Sequence, residues 1–542
     1  MEEIKRRIKN IYRFFIKHSD LIGYILLFVF FVIMNIKMYK DMEYLIDSDM
    51  SSELVLANIL AKEGRPITNS WFYSSEVRVF NTNLVFMPLF LITNNWHTVR
   101  ILGIIILDLI LFAGYYYLAK QLNMKHIPWI GFLILGSISK DYLLFVTLGS
   151  FYVPHFFLSF VTIGLLFSIY KEEKNKNRII KIIMLMGVAF TAGLEGMRLI
   201  AICYLPLLIT AVIYCLINEK DLLKEGKFDF NNKSIKLIWL CILIFVSSGI
   251  GYVFNVVVFP RLGISFKIYS EDLYYTGFDF DSFSAVIAGW LDDLGYQADN
   301  LPVLSKTQIV LKPLFALLFL IICISVIHII KNRNKYSEVE YIMDIYFIVA
   351  AIVITVLFAF TNTAYINRYL LPVSVFIVFV VGIFLTNYKF DWQKWLMIFM
   401  IIIFVVFNTF FQIQYQKENN RYHVSGMLKV RDILLENECY NGYSIDHWNG
   451  HNLLTELTDG RIETWRVRDY NIYSPVIWLQ PADHAERNPE GKTFFLLWKY
   501  EVNDGHVWIN GDIKDYTYYE DEYRYLLIFD SVEECWATVQ RP

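Results

Sequence analysis

Charge is what this sequence has least of. Among 542 residues only 19% are Asp, Glu, Lys or Arg, whereas 56% are hydrophobic and 17% aromatic, and mean hydropathy is +0.42. A water-soluble globule carries about a quarter of its residues as charge, so that class is excluded and a polytopic membrane protein is expected. The charges nearly cancel, 49 basic against 52 acidic for a net of −3, and they fall in blocks. No extended basic surface results, which excludes nucleic acid as a partner. Cysteine is scarce as well, at six residues. Cys203, Cys215, Cys241 and Cys323 lie in apolar runs, where a thiol acts as a small hydrophobe. None has metal-ligand spacing, so no metal or other cofactor is expected. Cys439 and Cys535 alone lie in polar sequence, and a disulfide between them is open if that part faces an oxidising compartment. No small-residue cleavage site follows the first apolar run, Leu21 to Ile36. Behind the basic stretch MEEIKRRIKNIYRFFIK it reads as a retained signal anchor.

Long apolar runs are what the sequence does have. A span needs about 20 apolar residues, and Lys and Arg collect in cytoplasmic loops. The two rules together give about eleven transmembrane helices, near Leu21–Lys37, Thr98–Leu118, Ile127–Leu148, Tyr152–Tyr170, Ile179–Leu194, Leu199–Ile217, Leu237–Val258, Leu314–Ile330, Tyr341–Phe360, Tyr369–Leu385 and Trp395–Phe411. The basic loops KEEKNKNR, KNRNK and YKFDWQK fall on the same side as the N-terminus throughout. The expected topology is therefore N-terminus in the cytoplasm, with loops 39–83 and 259–312 outside. Leu84 to Ile92 is too short to cross and is expected to lie re-entrant or at the interface.

Beyond residue 412 the sequence turns polar and rich in Trp and Tyr. Alternating runs such as GYSIDHW, RIETWRV, TFFLLWKY and YRYLLIF read as short strands, and VSGMLKVRDILLENE as a helix. The expected organisation is a transmembrane domain over residues 1–412 and a small extracytoplasmic α/β domain over 413–542.

Ionisable residues at a membrane are costly and mark function by default. The topology gathers them at the outer face, which argues against an ion path through the bilayer. Asp47, Asp49 and Glu53 open the first outer loop. The segment NSWFYSSEVR adds Trp71, Tyr73, Glu76 and Arg78 as candidates to contact substrate. GLEGMR puts Glu195 and Arg198 at the outer end of one span, and INRYLLP puts Arg368 and Tyr369 at the start of another. The bland reading makes Asp49 a helix N-cap before SSELVLANILAKEG, with Asp47 in solvent. It makes the arginines interface anchors and the aromatics membrane belts. An Asp-x-Asp pair also suits a nucleotide-sugar metal site, but nucleotide sugars are cytoplasmic and this loop is expected outside.

The plan of an acidic first outer loop continuing as a helix, about eleven spans and a C-terminal outer domain resembles the GT-C glycosyltransferases. In several of their branches the acidic motif runs Asp-Glu, an aromatic, then a helix with Ala. This chain has Asp49 and Ala57 at the matching spacing, with Met50 where Glu is common and Glu53 where the aromatic often lies. The resemblance implies a GT-C-like fold and a polyprenyl-phosphate-linked sugar donor. It also implies inversion at the anomeric carbon, with Asp49 or Asp47 as general base for the hydroxyl of a cell-surface acceptor. The leaving lipid phosphate then needs cations, for which Arg198, Arg368, His155 and Arg261 are the candidates. A transporter of lipid-linked glycans is the competing class, and a non-catalytic scaffold the third. A transporter calls for broken helices in paired halves and polar groups at mid-membrane, and neither pattern stands out.

Overall fold

The computed structural model describes residues 2–74, 77–172, 177–219, 232–264, 266, 274–296, 305–468 and 473–540. Glu76 and much of the loops KEEKNKNR and 218–236 lie outside the described residues.

All eleven expected membrane segments are helical. In chain order the helices are α1 (Glu2–Asp41), α2 (Ser48–Glu63), α3 (Asn83–Phe90) and α4 (Trp96–Gln121). Next come α5 (Ile127–Leu135), α6 (Lys140–Leu148), α7 (Val153–Lys171), α8 (Arg178–Leu194), α9 (Ile200–Asn218) and α10 (Lys233–Arg261). After them follow α11 (Phe280–Asp293), α12 (Lys306–Lys331), α13 (Glu338–Phe360), α14 (Asn367–Asn387) and α15 (Asp391–Glu436). Among the described residues nine are long and apolar enough to cross a membrane, or ten if α5 and α6, bent by 85°, count as one span. The eleventh expected span is α8, whose 17 residues sit at the lower limit of a membrane crossing. The chain is a multi-pass membrane protein. The short piece around Leu84 to Ile92 is α3, only 8 residues long with Pro88 inside it.

By contact the chain divides into two compact units. The first comprises Met1–Lys37, Leu107–Val253 and Glu271–Tyr415. Its helices pack through small residues where backbones must approach, as expected where apolar burial gives no preference for protein over lipid. Gly193 of α8 and Gly251 of α10 show this, because a Cβ on either would run into the facing helix's carbonyls, Ser248 and Phe190 respectively.

The second unit comprises Met38–Ile106, Phe254–Ser270 and Gln416–Pro542. The sequence groups residues 39–83 with the transmembrane part, whereas by contact they belong with the C-terminal segment. α15 also runs through the expected boundary at 412 as one helix of 46 residues. Beyond it a five-stranded sheet has the order β3-β2-β5-β8-β7. The strands are β2 (Asn441–Ser444), β3 (Glu463–Arg466), β5 (Thr493–Trp498), β7 (Thr517–Glu520) and β8 (Arg524–Phe529). β2 is parallel to β3 and β5, and β8 is antiparallel to β5 and β7. Tyr443, Trp465, Phe495, Leu497, Leu527 and Phe529 bury one face as a core. α16 (His451–Leu457) and α17 (Val532–Thr538) complete a small α/β layer, as the alternation of the four runs predicts. Cys439 and Cys535 are buried free thiols. Cys439 Sγ lies 3.5 Å from the Lys492 carbonyl, and Cys535 is paired with Tyr473 at 3.8 Å.

Candidate functional site

α2 carries the acidic motif, and its ends are set locally. Asp47 has extended backbone and its Oδ1 accepts from the Met50 amide at 2.9 Å, so Asp47 is the N-cap. Gly64 ends the helix at φ +68 and returns its amide to the Leu60 carbonyl, a left-handed position that suits glycine. The bland reading of the two aspartates is thus reversed: Asp47, not Asp49, is spent on the cap. The reason is register, since the helix begins at Ser48 and Asp49 already lies in its first turn. Burial, reinforced by the like charge of Asp49, pushes the Asp47 carboxyl from its ordinary 3.8 up to about 7.

Asp49 points its carboxylate elsewhere. Its Oδ1 accepts from His447 Nε2 at 3.1 Å, with the Asp49 side chain 25% exposed and His447 only 2%. A buried imidazole thus fixes a carboxylate that still reaches solvent. His447 packs edge-on to Trp478 at 5.0 Å and beside His451 at 5.4 Å, and its Nδ1 has no hydrogen-bond partner among the described residues. Glu53, one turn on from Asp49, shares its helix face. Its Oε2 accepts from Asn81 at 3.0 Å and Thr82 at 2.9 Å. Burial raises its pKa and the Arg78 charge opposes the rise.

Under the start of α2 lies a buried ion pair. Arg100, in α4, is fully buried and donates through Nε to Glu456 Oε1 at 2.9 Å and through Nη2 to Glu456 Oε2 at 2.5 Å. The same Nη2 donates to the Met50 carbonyl at 2.9 Å. The first turn of α2 is thereby tied to α4 and α16, and Asp49 inherits that rigidity. Trp71 is fully buried in β1 (Trp71–Phe72), which pairs antiparallel with β4 (Gln480–Pro481), and it has no face left for a sugar. Tyr73 is likewise buried, and its hydroxyl accepts from the Thr68 amide at 3.2 Å. Arg261 is exposed at the end of α10.

The cation candidates of the first unit form a second cluster. Arg198 lies over Tyr152 at 5.2 Å and over Tyr369 at 5.6 Å. Arg368 lies over Phe145 at 5.0 Å and over the same Tyr369 at 5.9 Å. One tyrosine ring therefore gathers two guanidinium groups that lie far apart in sequence. The ring itself is stacked on Phe358 with planes 3° apart. His155 is buried in the first turn of α7, 5.7 Å from the Tyr152 ring, with Nδ1 3.2 Å from the Phe151 carbonyl. Glu195 is buried at the C-terminus of α8.

No protein-family model and no curated protein matches the sequence. Solved structures do. ArnT from Cupriavidus metallidurans in the apo state aligns with a TM-score of 0.56 at 10% identity, over 94% of this chain and 98% of that one. The same protein bound to undecaprenyl phosphate aligns at 0.52 and 10% identity, over 93% and 98%. The chain has the GT-C fold.

Three side chains central to the acidic site are not among the sequence candidates: His447, Arg100 and Glu456. The alternation of GYSIDHW predicts one strand, but β2 stops at Ser444, so the Asp-His-Trp triplet forms the turn at its end. Histidine offers a signal, because the chain has only 10 and His447 and His451 lie four residues apart. Arg100 offered none, being one arginine at the head of an apolar helix.

Proposed function

We propose that this chain is a membrane glycosyltransferase that moves a sugar from a polyprenyl-phosphate carrier to the hydroxyl of a cell-surface acceptor, with inversion. Asp49 is the general base. It takes the acceptor hydroxyl proton as that oxygen bonds to the anomeric carbon. The bond from that carbon to the phosphate oxygen breaks, and the polyprenyl phosphate leaves with its electron pair. The observation that carries the assignment is the 3.1 Å bond from His447 Nε2 to Asp49. It orients a carboxylate that remains accessible, while the Asp47 carboxylate is engaged by a backbone amide. A base must be held within hydrogen-bond reach of the proton it takes, so orientation comes before basicity.

Arg198 and Arg368 are assigned to the donor phosphate. Their pairing about Tyr369 supports this, since two guanidinium planes held by an aromatic ring offer the bidentate donors a phosphate prefers. The likeness to ArnT, one of whose structures is bound to undecaprenyl phosphate, supports the donor class. The positive-inside rule supports an outer-face position for loops 39–83 and 259–312 and for residues 413–542, and a reporter fused after residue 542 tests it.

The deciding experiment is transfer from a radiolabelled polyprenyl-phosphate sugar in membrane vesicles. Asp49→Asn is expected to abolish transfer at unchanged abundance, and Asp47→Asn, which still caps α2, to retain it. Full activity in Asp49→Asn would refute the assignment.

A further inference from the structure

A cavity of about 260 Å³ lies wholly within the second unit, on the far side of α2 from Asp49. Val55, Asn58 and Ile59 of α2, Trp96, Thr464 and His484 line it. Nine residues at 100° each separate Asp49 from Asn58, which puts them on opposite helix faces, about 14 Å apart along the axis. A ligand here is not the sugar being transferred at Asp49.

The polar groups of the cavity identify what it would take. Gln480 Oε1 accepts from the Arg466 amide at 3.0 Å, and the same oxygen lies 3.3 Å from His484 Nδ1. An oxygen can only accept, so Nδ1 carries the proton and Nε2 is left as a bare acceptor. That Nε2 is buried and has no partner among the described residues, and neither has the buried Thr464 hydroxyl. Burial pushes the His484 ring down to about 3, so it stays neutral at physiological pH. The ring is held rigidly, stacked on Trp465 with centroids 4.1 Å apart. The charges that line the cavity cancel in number, Lys62 and Arg487 against Glu463 and Asp483, and Arg487 is bonded to Glu463 at 2.6 Å and to Asp483 at 2.7 Å. An unpartnered acceptor, a hydroxyl and the Asn58 amide beside the apolar walls of Val55, Ile59 and Trp96 suit an uncharged ligand rich in hydroxyl groups. Apolar walls with a few convergent polar groups are the usual make-up of a small-ligand site.

We infer that this cavity is a saccharide-binding subsite that holds one neutral sugar ring, donating a hydroxyl proton to His484 Nε2. It is separate from the transfer site. The ring belongs to a glycan, either a remote unit of the acceptor or a finished product. Sugar binding is measured without turnover and stands apart from the transferase reading, whereas the role of that sugar as acceptor or product rests on it.

The test uses the full chain in nanodiscs and saturation-transfer NMR with glucose, galactose, mannose, N-acetylglucosamine and, as the anion control, inorganic phosphate. At least one sugar is expected to bind saturably at millimolar concentration. Its signal is expected to fall at least fivefold in Asn58→Leu and in Thr464→Val, and to persist in Thr464→Ser and Asp49→Asn, with all variants melting as the parent does. The inference is overturned if no sugar binds, if binding survives both Asn58→Leu and Thr464→Val, or if phosphate occupies the cavity and sugars do not.

Discussion

The Arg100–Glu456 pair gives the sharpest test of how the acidic motif is held. Arg100 is 0% and Glu456 5% exposed at the side chain, and the guanidinium grips the carboxylate at both oxygens while also taking the Met50 carbonyl. Glu456→Gln keeps size and shape but leaves the guanidinium buried without a counter-charge. Removing one partner of a buried ion pair costs about 3–5 kcal/mol. A cooperative unit of roughly two hundred residues loses about 2–4 °C of melting temperature per kcal/mol, so the apparent melting point should fall by about 6–20 °C. Arg100→Met with Glu456→Met removes both charges, and much of the loss should return, since apolar replacement of a whole buried pair is often neutral. The assay is fluorescence-detected size exclusion of the heated, detergent-solubilised chain, with transfer activity measured below each variant's melting point. A Glu456→Gln melt within about 2 °C of the parent, or a double variant no better than the single, would refute the reasoning.

Three further outcomes are expected. Asp47 has a folded pKa of about 7 against an ordinary 3.8, so the folded state keeps its proton where the unfolded state has lost it. Stability from this group is present below the unfolded value and is lost as pH rises through about 7, a difference of about 4 kcal/mol at most. Asp47→Asn cannot ionise and still caps the helix, so it should raise the melting point at pH 8 and leave it unchanged near pH 4, as thermal melts at the two pH values will show. His447→Ala frees the Asp49 carboxylate and should lower kcat for transfer by about 10² with little change in donor KM, and His447→Gln should recover part of it. Gly193→Leu forces apart two helix backbones in contact and should abolish the monodisperse peak in size exclusion, whereas leucine at the open position Gly187 should not.

Sequence determined the one-dimensional facts. Apolar runs of membrane length, basic loops between them and period-two alternation after residue 412 are local signals, because hydrocarbon thickness and strand pleat impose fixed periods on the chain. They located all eleven expected membrane segments and four of the five strands of the sheet. They also directed attention to Asp49, Arg198 and Arg368, since charge stands out where apolar residues prevail. What they left unsettled was every relation between distant segments. Which aspartate caps α2 depended on a two-residue choice of register that either would satisfy. That His447 reaches Asp49 across 398 positions, that Arg100 finds Glu456 across 356, and that Tyr369 collects two arginines are results of packing. Such pairings arise from long-range contacts whose partners carry no shared local period, and only the tertiary structure decides them. The first acidic loop therefore reads in sequence as a loop of the membrane part, and in three dimensions as one wall of the C-terminal unit.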